Sequence, residues 1–162
     1  MRVRDATQED WPAIWSFASV ILGAGDTFTY DEAMDEAEAR AMWMVGRPGR
    51  TTVAVGDDGG VIGSANMYAN RPGPGAHVAS GSFIVDPGHQ GRGAGRTLCE
   101  DALDWARGEG FRGMQFNAVA ASNQPAVGLY RSLGFEIVGS VPEGFRHPRQ
   151  GYVDLLIMYR RL

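Results

Sequence analysis

Between Phe83 and Arg96 the chain reads Phe-Ile-Val-Asp-Pro-Gly-His-Gln-Gly-Arg-Gly-Ala-Gly-Arg, an apolar stretch running into glycines at Gly91, Gly93 and Gly95. A strand that passes through glycines into a helix leaves backbone N–H groups free at the positive helix end, as a bound diphosphate requires. An ordinary strand-to-helix turn uses the same residue types, so the loop alone leaves both readings open. Two common phosphate loops are excluded. A Walker loop ends in Gly-Lys-Ser/Thr, whereas here Gly95-Arg96-Thr97 follows in a chain whose 15 basic residues are all arginine. A Rossmann fingerprint needs glycine where Arg96 stands, and an acidic residue about 20 positions on, where Asn117 stands.

Other side chains able to do chemistry are spread along the chain. Tyr130 carries a phenol that is protonated at neutral pH and can give up a proton. Asp154 interrupts the apolar run Tyr152 to Met158, so its carboxylate must be partnered or face a cleft. His147, in Phe-Arg-His-Pro, falls in a polar loop between the last two expected strands, and His77 follows a Gly/Pro-rich turn. Asp31, Glu32, Asp35, Glu36 and Glu38 crowd one helix and suit either a solvated face or attraction of a cation. The single cysteine, Cys99, has no partner for a disulfide and no second thiol for a metal, and is most simply a small core residue. No metal site is expected.

The elements that must position these groups follow from periodicity. A first strand covers Arg2 to Ala6. Thr7 with Asp10 starts a helix carrying Trp11, Ile14, Trp15, Ala18 and Ile21 on one face. Thr29 with Glu32 reads as a capping box for a second helix with Ala33, Ala37, Ala41 and Val45 as its stripe, stopped by Gly46 and Pro48. Thr51 to Val55 and Val61 to Tyr68 flank the turn Asp57-Asp58-Gly59-Gly60 as a hairpin, and a strand from about His77 to Val85 follows the turn Arg71 to Gly75. A helix with Ala94, Leu98, Ala102 and Trp105 ends at Gly108 and Gly110. The remainder reads strand (Gly113 to Ala120), helix (Gln124 to Leu133), strand (Phe135 to Val141) and strand (Tyr152 to Tyr159). This β-α-α-β-β-β-α-β-α-β-β order predicts an α/β fold, a mixed sheet with helices packed on it, within a single domain spanning 1–162.

The spacing Gln90-x-x-Gly93-x-Gly95 after Val85-Asp86-Pro87 resembles the acetyl-CoA diphosphate motif of the GNAT superfamily of N-acetyltransferases. Asn123, Ala126, Tyr130, Gly134 and Phe135 are similar to that family's N-x-x-A-x-x-x-Y-x-x-x-G-F block. The resemblance implies the GNAT fold, with a mostly antiparallel sheet whose middle strands splay after Val85 and Gly113. It implies acetyl-CoA as cosubstrate, its arm paired with the backbone of Phe83, Ile84 and Val85. The diphosphate would be wrapped by Gln90, Gly91, Arg92, Gly93, Ala94, Gly95 and Arg96, with Asn123 and Tyr130 near the thiol end. Tyr130 would act as general acid, a backbone N–H near Val85 as oxyanion donor, and Asp154, His147, His77 or a water chain as base. The segment Asp26 to Tyr30 lies where the family closes its acceptor site. Peptide-directed branches place a Glu five residues before the Asn, where this chain has Ala118, and the last strand resembles branches acting on amino-acid-like amines. The expected activity is acetyl transfer to the primary amine of a small molecule, with a peptide or protein N-acetyltransferase or a noncatalytic acyl-CoA sensor as alternatives. Homodimers are frequent in the family, which makes a second copy a candidate partner.

Composition narrows the field. A chain of 162 residues, 44% hydrophobic, can bury a core unaided. Its net charge of -4 lacks the basic footprint of nucleic-acid binding. The N-terminus lacks the apolar core of a secretory signal and no run approaches the roughly 18 apolar residues of a membrane span, so a cytoplasmic protein without a membrane partner is expected.

Overall fold

The computed structural model describes residues 1–162. Seven strands, β1 (Arg2–Asp5), β2 (Arg50–Val55), β3 (Val61–Ala69), β4 (Val78–Val85), β5 (Gly113–Ala120), β6 (Glu136–His147) and β7 (Gly151–Arg161), form one sheet in the order β1-β2-β3-β4-β5-β7-β6. Four helices, α1 (Trp11–Ala24), α2 (Glu36–Trp43), α3 (Ala94–Gly108) and α4 (Gln124–Ser132), cover it. No helix is long and apolar enough to cross a membrane.

The period of two along β2 divides the core. Val53 and Val55 pack with Trp11, Ile14 and Trp43 of α1 and α2, while Ala54 between them joins Leu98, Ala102 and Leu103 of α3. The α3 stripe is fully buried at Leu98, Cys99 and Ala102, so the face expected from its 3.6 period meets the sheet. Both faces of the central strands are therefore apolar, and polar side chains lining them are exceptions that call for a reason.

Every strand pair is antiparallel except β4 with β5, which is parallel and joined only at Val78–Gly113 and Ala79–Met114. Beyond these two pairs the strands part. Ser82 directs its N–H to Asn66 Oδ1 at 3.2 Å and Asp86 to the Ile62 carbonyl at 2.9 Å, both on β3. By alternation, the main-chain groups of Phe83 and Val85 then face the opening and those of Ile84 face β3. Ile84 thus turns its main-chain groups toward Ser64 of β3.

The second helix departs from the sequence reading. It starts at Glu36, not after Thr29, because Asp35 and Glu38 form the capping box: Asp35 Oδ1 accepts from Glu38 N at 2.8 Å and Glu38 Oε2 from Asp35 N at 3.2 Å. Helix α2 ends at Trp43, before Val45. Residues 26–35 stay irregular because Phe28 and Tyr30 are held elsewhere: their rings stack at 5.3 Å, and Phe28 meets Trp43 edge-on at 6.3 Å. Thr27 to Tyr30, in the expected connection between the first two helices, form a wall of the cavity.

The last hairpin is longer than expected, with β6 running to His147 instead of Val141. His147 is accordingly not in a loop: it pairs with Gly151, is 6% exposed, and its Nδ1 accepts from the N–H groups of Arg149 and Gln150 at 3.1 and 3.2 Å.

Candidate active site

The splay makes a cavity. It encloses about 300 Å³ and passes through the sheet between β4 and β5, from the side of α3 and α4 to the side of α1 and α2. On the first side stand Phe83, Phe116, Asn123, Ala126 and Tyr130, and on the second Thr27 to Tyr30, Tyr68, Ser80 and Ser82.

Tyr130 is fixed by rings. Its centroid lies 4.5 Å from Phe116, 5.9 Å from Phe135 and 6.3 Å from Phe83. Burial among these rings, with a smaller contribution from Cys99, pushes the phenol well above its usual value. It is therefore a proton donor throughout the neutral range. Asn123 caps α4, its side chain accepting from Ala126 N at 3.3 Å, and that cap sets the helix turn carrying Tyr130.

At the mouth of the first side, β4 leads through Asp86 into a tight turn. Asp86 accepts from Gly88 N at 3.0 Å and meets His89 Nδ1 at 2.9 Å, and these contacts hold its carboxyl below the usual range. Gly91 and Gly93 adopt φ of 74° and 90°, and Gly93 caps α3 with no side-chain bond. The first internal helix bond runs from Thr97 N to Gly93 O at 3.0 Å, which leaves the N–H groups of Ala94, Gly95 and Arg96 without helical acceptors. A Cβ on Gly91 or Gly93 meets nothing within 4 Å, so a cradle lies open beside those donors. These residues fit an anionic diphosphate. Arg96 bonds Ser132 Oγ at 2.7 Å and lies 3.6 Å from Glu100, with Gln90 and Arg92 exposed beside it.

The second side is built from hydroxyls. Tyr30 Oη lies 3.3 Å from Ser82 Oγ, joining the α1–α2 loop to β4. Burial raises the Tyr68 phenol, the Tyr30 phenol adds to this, and the Ser80 and Ser82 hydroxyls partly offset it. Asn117 Nδ2 donates to Asn70 Oδ1 at 2.6 Å and bridges β5 to the loop after β3. Tyr68, Ser80, Ser82 and Asn117 were missed from sequence. Their signal was the alternation of Ser80 and Ser82 in Val-Ala-Ser-Gly-Ser-Phe-Ile-Val, polar groups at a period of two on a strand that is otherwise apolar.

The candidate bases are not brought to this cavity. His147 serves its own turn. Asp154 is exposed and accepts from Ser140 Oγ at 3.2 Å and Glu143 N at 3.1 Å, where Glu143 takes φ of 53° in a bulge of β6. His77 is exposed before β4. None of the three lines the cavity.

The acetyltransferase (GNAT) family model matches residues 2–135, spanning the diphosphate loop, the splay and the Tyr130 helix. The chain belongs to the GNAT family. A GCN5-related N-acetyltransferase from Kribbella flavida is similar to this GNAT chain at 56% identity and a TM-score of 0.97, covering 99% of this chain and 97% of the other. A ribosomal-protein-alanine N-acetyltransferase from Brucella melitensis is 27% identical with a TM-score of 0.87, covering 100% of both chains. The L-amino acid N-acyltransferase MnaT of Escherichia coli is 29% identical over 166 residues, which cover 100% of this chain and 94% of MnaT. Three other curated relatives match over only 53%, 13% and 32% of their own lengths. Two similar structures, at 26% identity, hold acetyl-CoA.

Proposed function

We propose that this chain transfers the acetyl group of acetyl-CoA to the primary amine of a small, amino-acid-like molecule. The observation that carries this reading is the cavity through the sheet, with a proton donor, Tyr130, on one side and a hydroxyl-lined chamber of small volume on the other. Acetyl-CoA supplies an activated acyl thioester. The main-chain groups of Phe83 and Val85 would hold its arm as a further strand, and Gly91 to Arg96 would hold its diphosphate. Asn123, committed to capping α4, positions Tyr130 and lines the thiol end. The Val85 N–H is the oxyanion donor, and Tyr130 Oη holds the proton that the departing sulfur takes up.

The chamber favours a small acceptor over a peptide. Its outer wall, Thr27 to Tyr30, is tied to β4 by the Tyr30–Ser82 contact, and Ala118 stands where peptide-directed members carry Glu. The similarity to MnaT points to the same class. A thiol-release assay with acetyl-CoA across amino acids, their amides, polyamines and short peptides tests this. Turnover of small amines ahead of peptides is expected, and turnover of peptides alone would overturn it.

A further inference from the structure

We propose that Asn117 is a specificity-determining residue that holds a carbonyl oxygen next to the acceptor amine, and that Asn70 and Gln115 are the residues that position it. This deepens the acetyl-transfer reading and rests on it. Asn117 stands in the mostly apolar strand Gly-Met-Gln-Phe-Asn-Ala-Val-Ala, where the ladder is irregular. β5 pairs with β7 at Phe116–Met158 and next at Val119–Leu156, so Asn117 and Ala118 lie in a bulge. A bulge re-aims the side chain it carries. Asn117 lines the cavity, and the register from Ala79–Met114, continued past the parting of the strands, sets it opposite Ser82.

Both banks of the opening are fixed. Ser82 is held by Tyr30 through its hydroxyl and by Asn66 through its N–H, and Asn117 is held by two further amides. Gln115 Nε2 donates to Asn117 Oδ1 at 2.9 Å, and Asn117 Nδ2 donates to Asn70 Oδ1 at 2.6 Å. Asn70 is anchored in turn: its N–H donates to the Val78 carbonyl at 2.8 Å, and its own carbonyl accepts from Arg71 at 3.0 Å. This chain decides which end of the Asn117 amide faces which way.

An amide offers two N–H donors and two acceptor lone pairs, so one of each stays free at Asn117. The hydroxyls opposite can donate or accept, whereas an amide N–H only donates. It therefore selects an accepting atom, and the one that an amino-acid-like amine carries beside its nitrogen is a carbonyl oxygen. Asn117 is exposed at the mouth of the cavity and would turn freely without its two ties, which order the side chain before the acceptor arrives. Arg71 also acts on the Tyr68 phenol, so a carboxylate would feel its charge in addition. A carboxamide separates the two effects.

Leucinamide and isoamylamine differ only in the carboxamide, and the ratio of variant to wild-type kcat/KM for each cancels their difference in amine basicity. Asn117→Ala should lower kcat/KM for leucinamide by about 2- to 10-fold more than for isoamylamine, mostly through KM, the range of one hydrogen bond. Asn70→Ala should reproduce part of that selective loss. Asn70→Asp, which keeps an oxygen to receive Asn117 Nδ2, should restore it, and the rise in Tm with acetyl-CoA should match wild type in all three. Equal losses for the two acceptors in Asn117→Ala, or no loss for either, overturn the inference and leave acetyl transfer standing. If the wild type acetylates neither amine, both readings fall.

Discussion

Tyr30 and Ser82 meet with their hydroxyl oxygens 3.3 Å apart, and this contact joins the α1–α2 loop to β4 on the hydroxyl-lined side of the splay. The position of Tyr30 traces to the core: Phe28 stacks on it, Trp43 meets Phe28, and Trp43 Nε1 donates to Ser64 Oγ at 2.9 Å. Tyr30→Phe keeps the stack and deletes the hydroxyl. The KM for the amine should rise by about 2- to 10-fold, the range of one hydrogen bond, while stabilisation by acetyl-CoA is unchanged. An unaltered KM across a panel of acceptors places recognition elsewhere in the chamber.

Gly93 tests the diphosphate cradle. At φ of 90° a side chain strains the backbone, and its Cβ would project into open space in front of the α3 N-terminus. Gly93→Val should reduce the rise in Tm produced by acetyl-CoA by several degrees relative to wild type at equal ligand. Gly128→Ala serves as a control, since a Cβ there meets nothing within 4 Å on a helix and should stabilise by roughly 0.5–1 kcal/mol. An undiminished acetyl-CoA shift in Gly93→Val moves the diphosphate away from this loop.

Asp10 ties the entry of α1 to β1. Its carboxylate accepts from Arg4 at 2.8 and 2.7 Å and from Thr7 N at 2.7 Å, and the Arg4 guanidinium lowers its pKa to about 2 despite burial. A depressed folded-state pKa contributes stability that is present above the unfolded value near 3.9 and is lost as pH falls through about 2. Because Arg4 is 40% exposed, solvent screening reduces the contribution to about 1–2 kcal/mol. Asp10→Asn should lower the Tm by a few degrees at pH 7, with the gap from wild type narrowing below pH 4. A gap independent of pH would mean that packing, not charge, holds this corner.

Much of this architecture was written in local pattern. The strand Gly113–Ala120 and the α3 stripe followed from periods of 2 and 3.6, and the glycines at 91 and 93 fall in the strand-to-helix turn expected before α3. The start of α2 was not legible, because two successive boxes, Thr29 with Glu32 and Asp35 with Glu38, differ only in what their neighbours touch. Phe28 and Tyr30 choose between them by meeting Trp43 of α2 and Ser82 of β4, contacts distant in sequence with no local signature. His147 and Asp154 were singled out by residue type, but their roles depend on the register of β6 on β7 and its bulge between Val141 and Phe145. Residue type nominates a base; only register says what it faces.

If those two residues serve the hairpin, His147→Ala and Asp154→Asn should lower stability by about 1–3 kcal/mol and about 1 kcal/mol respectively, the first through two N–H groups left unpaired. Their pH profiles of kcat/KM should overlay wild type at a temperature where all three are folded. Loss of the rising limb in either variant would restore that residue as base.

Tyr130 is the residue to which a chemical step is assigned. An alkyl thiol has a pKa near 8.5, whereas burial raises this phenol above its usual 10, so the proton sits on oxygen until sulfur departs. Phe retains the ring contacts with Phe116, Phe135 and Phe83 and deletes only the donor. Tyr130→Phe should therefore fold as wild type and bind acetyl-CoA within a few-fold. Its kcat should fall by roughly 10²-fold or more, the lower end for a positioned acid. Since a thiolate leaves without great difficulty, a slower earlier step can hide part of this loss in steady state. Single-turnover measurements isolate the transfer, and a wild-type rate there would falsify the acid role and leave Tyr130 as one ring among four.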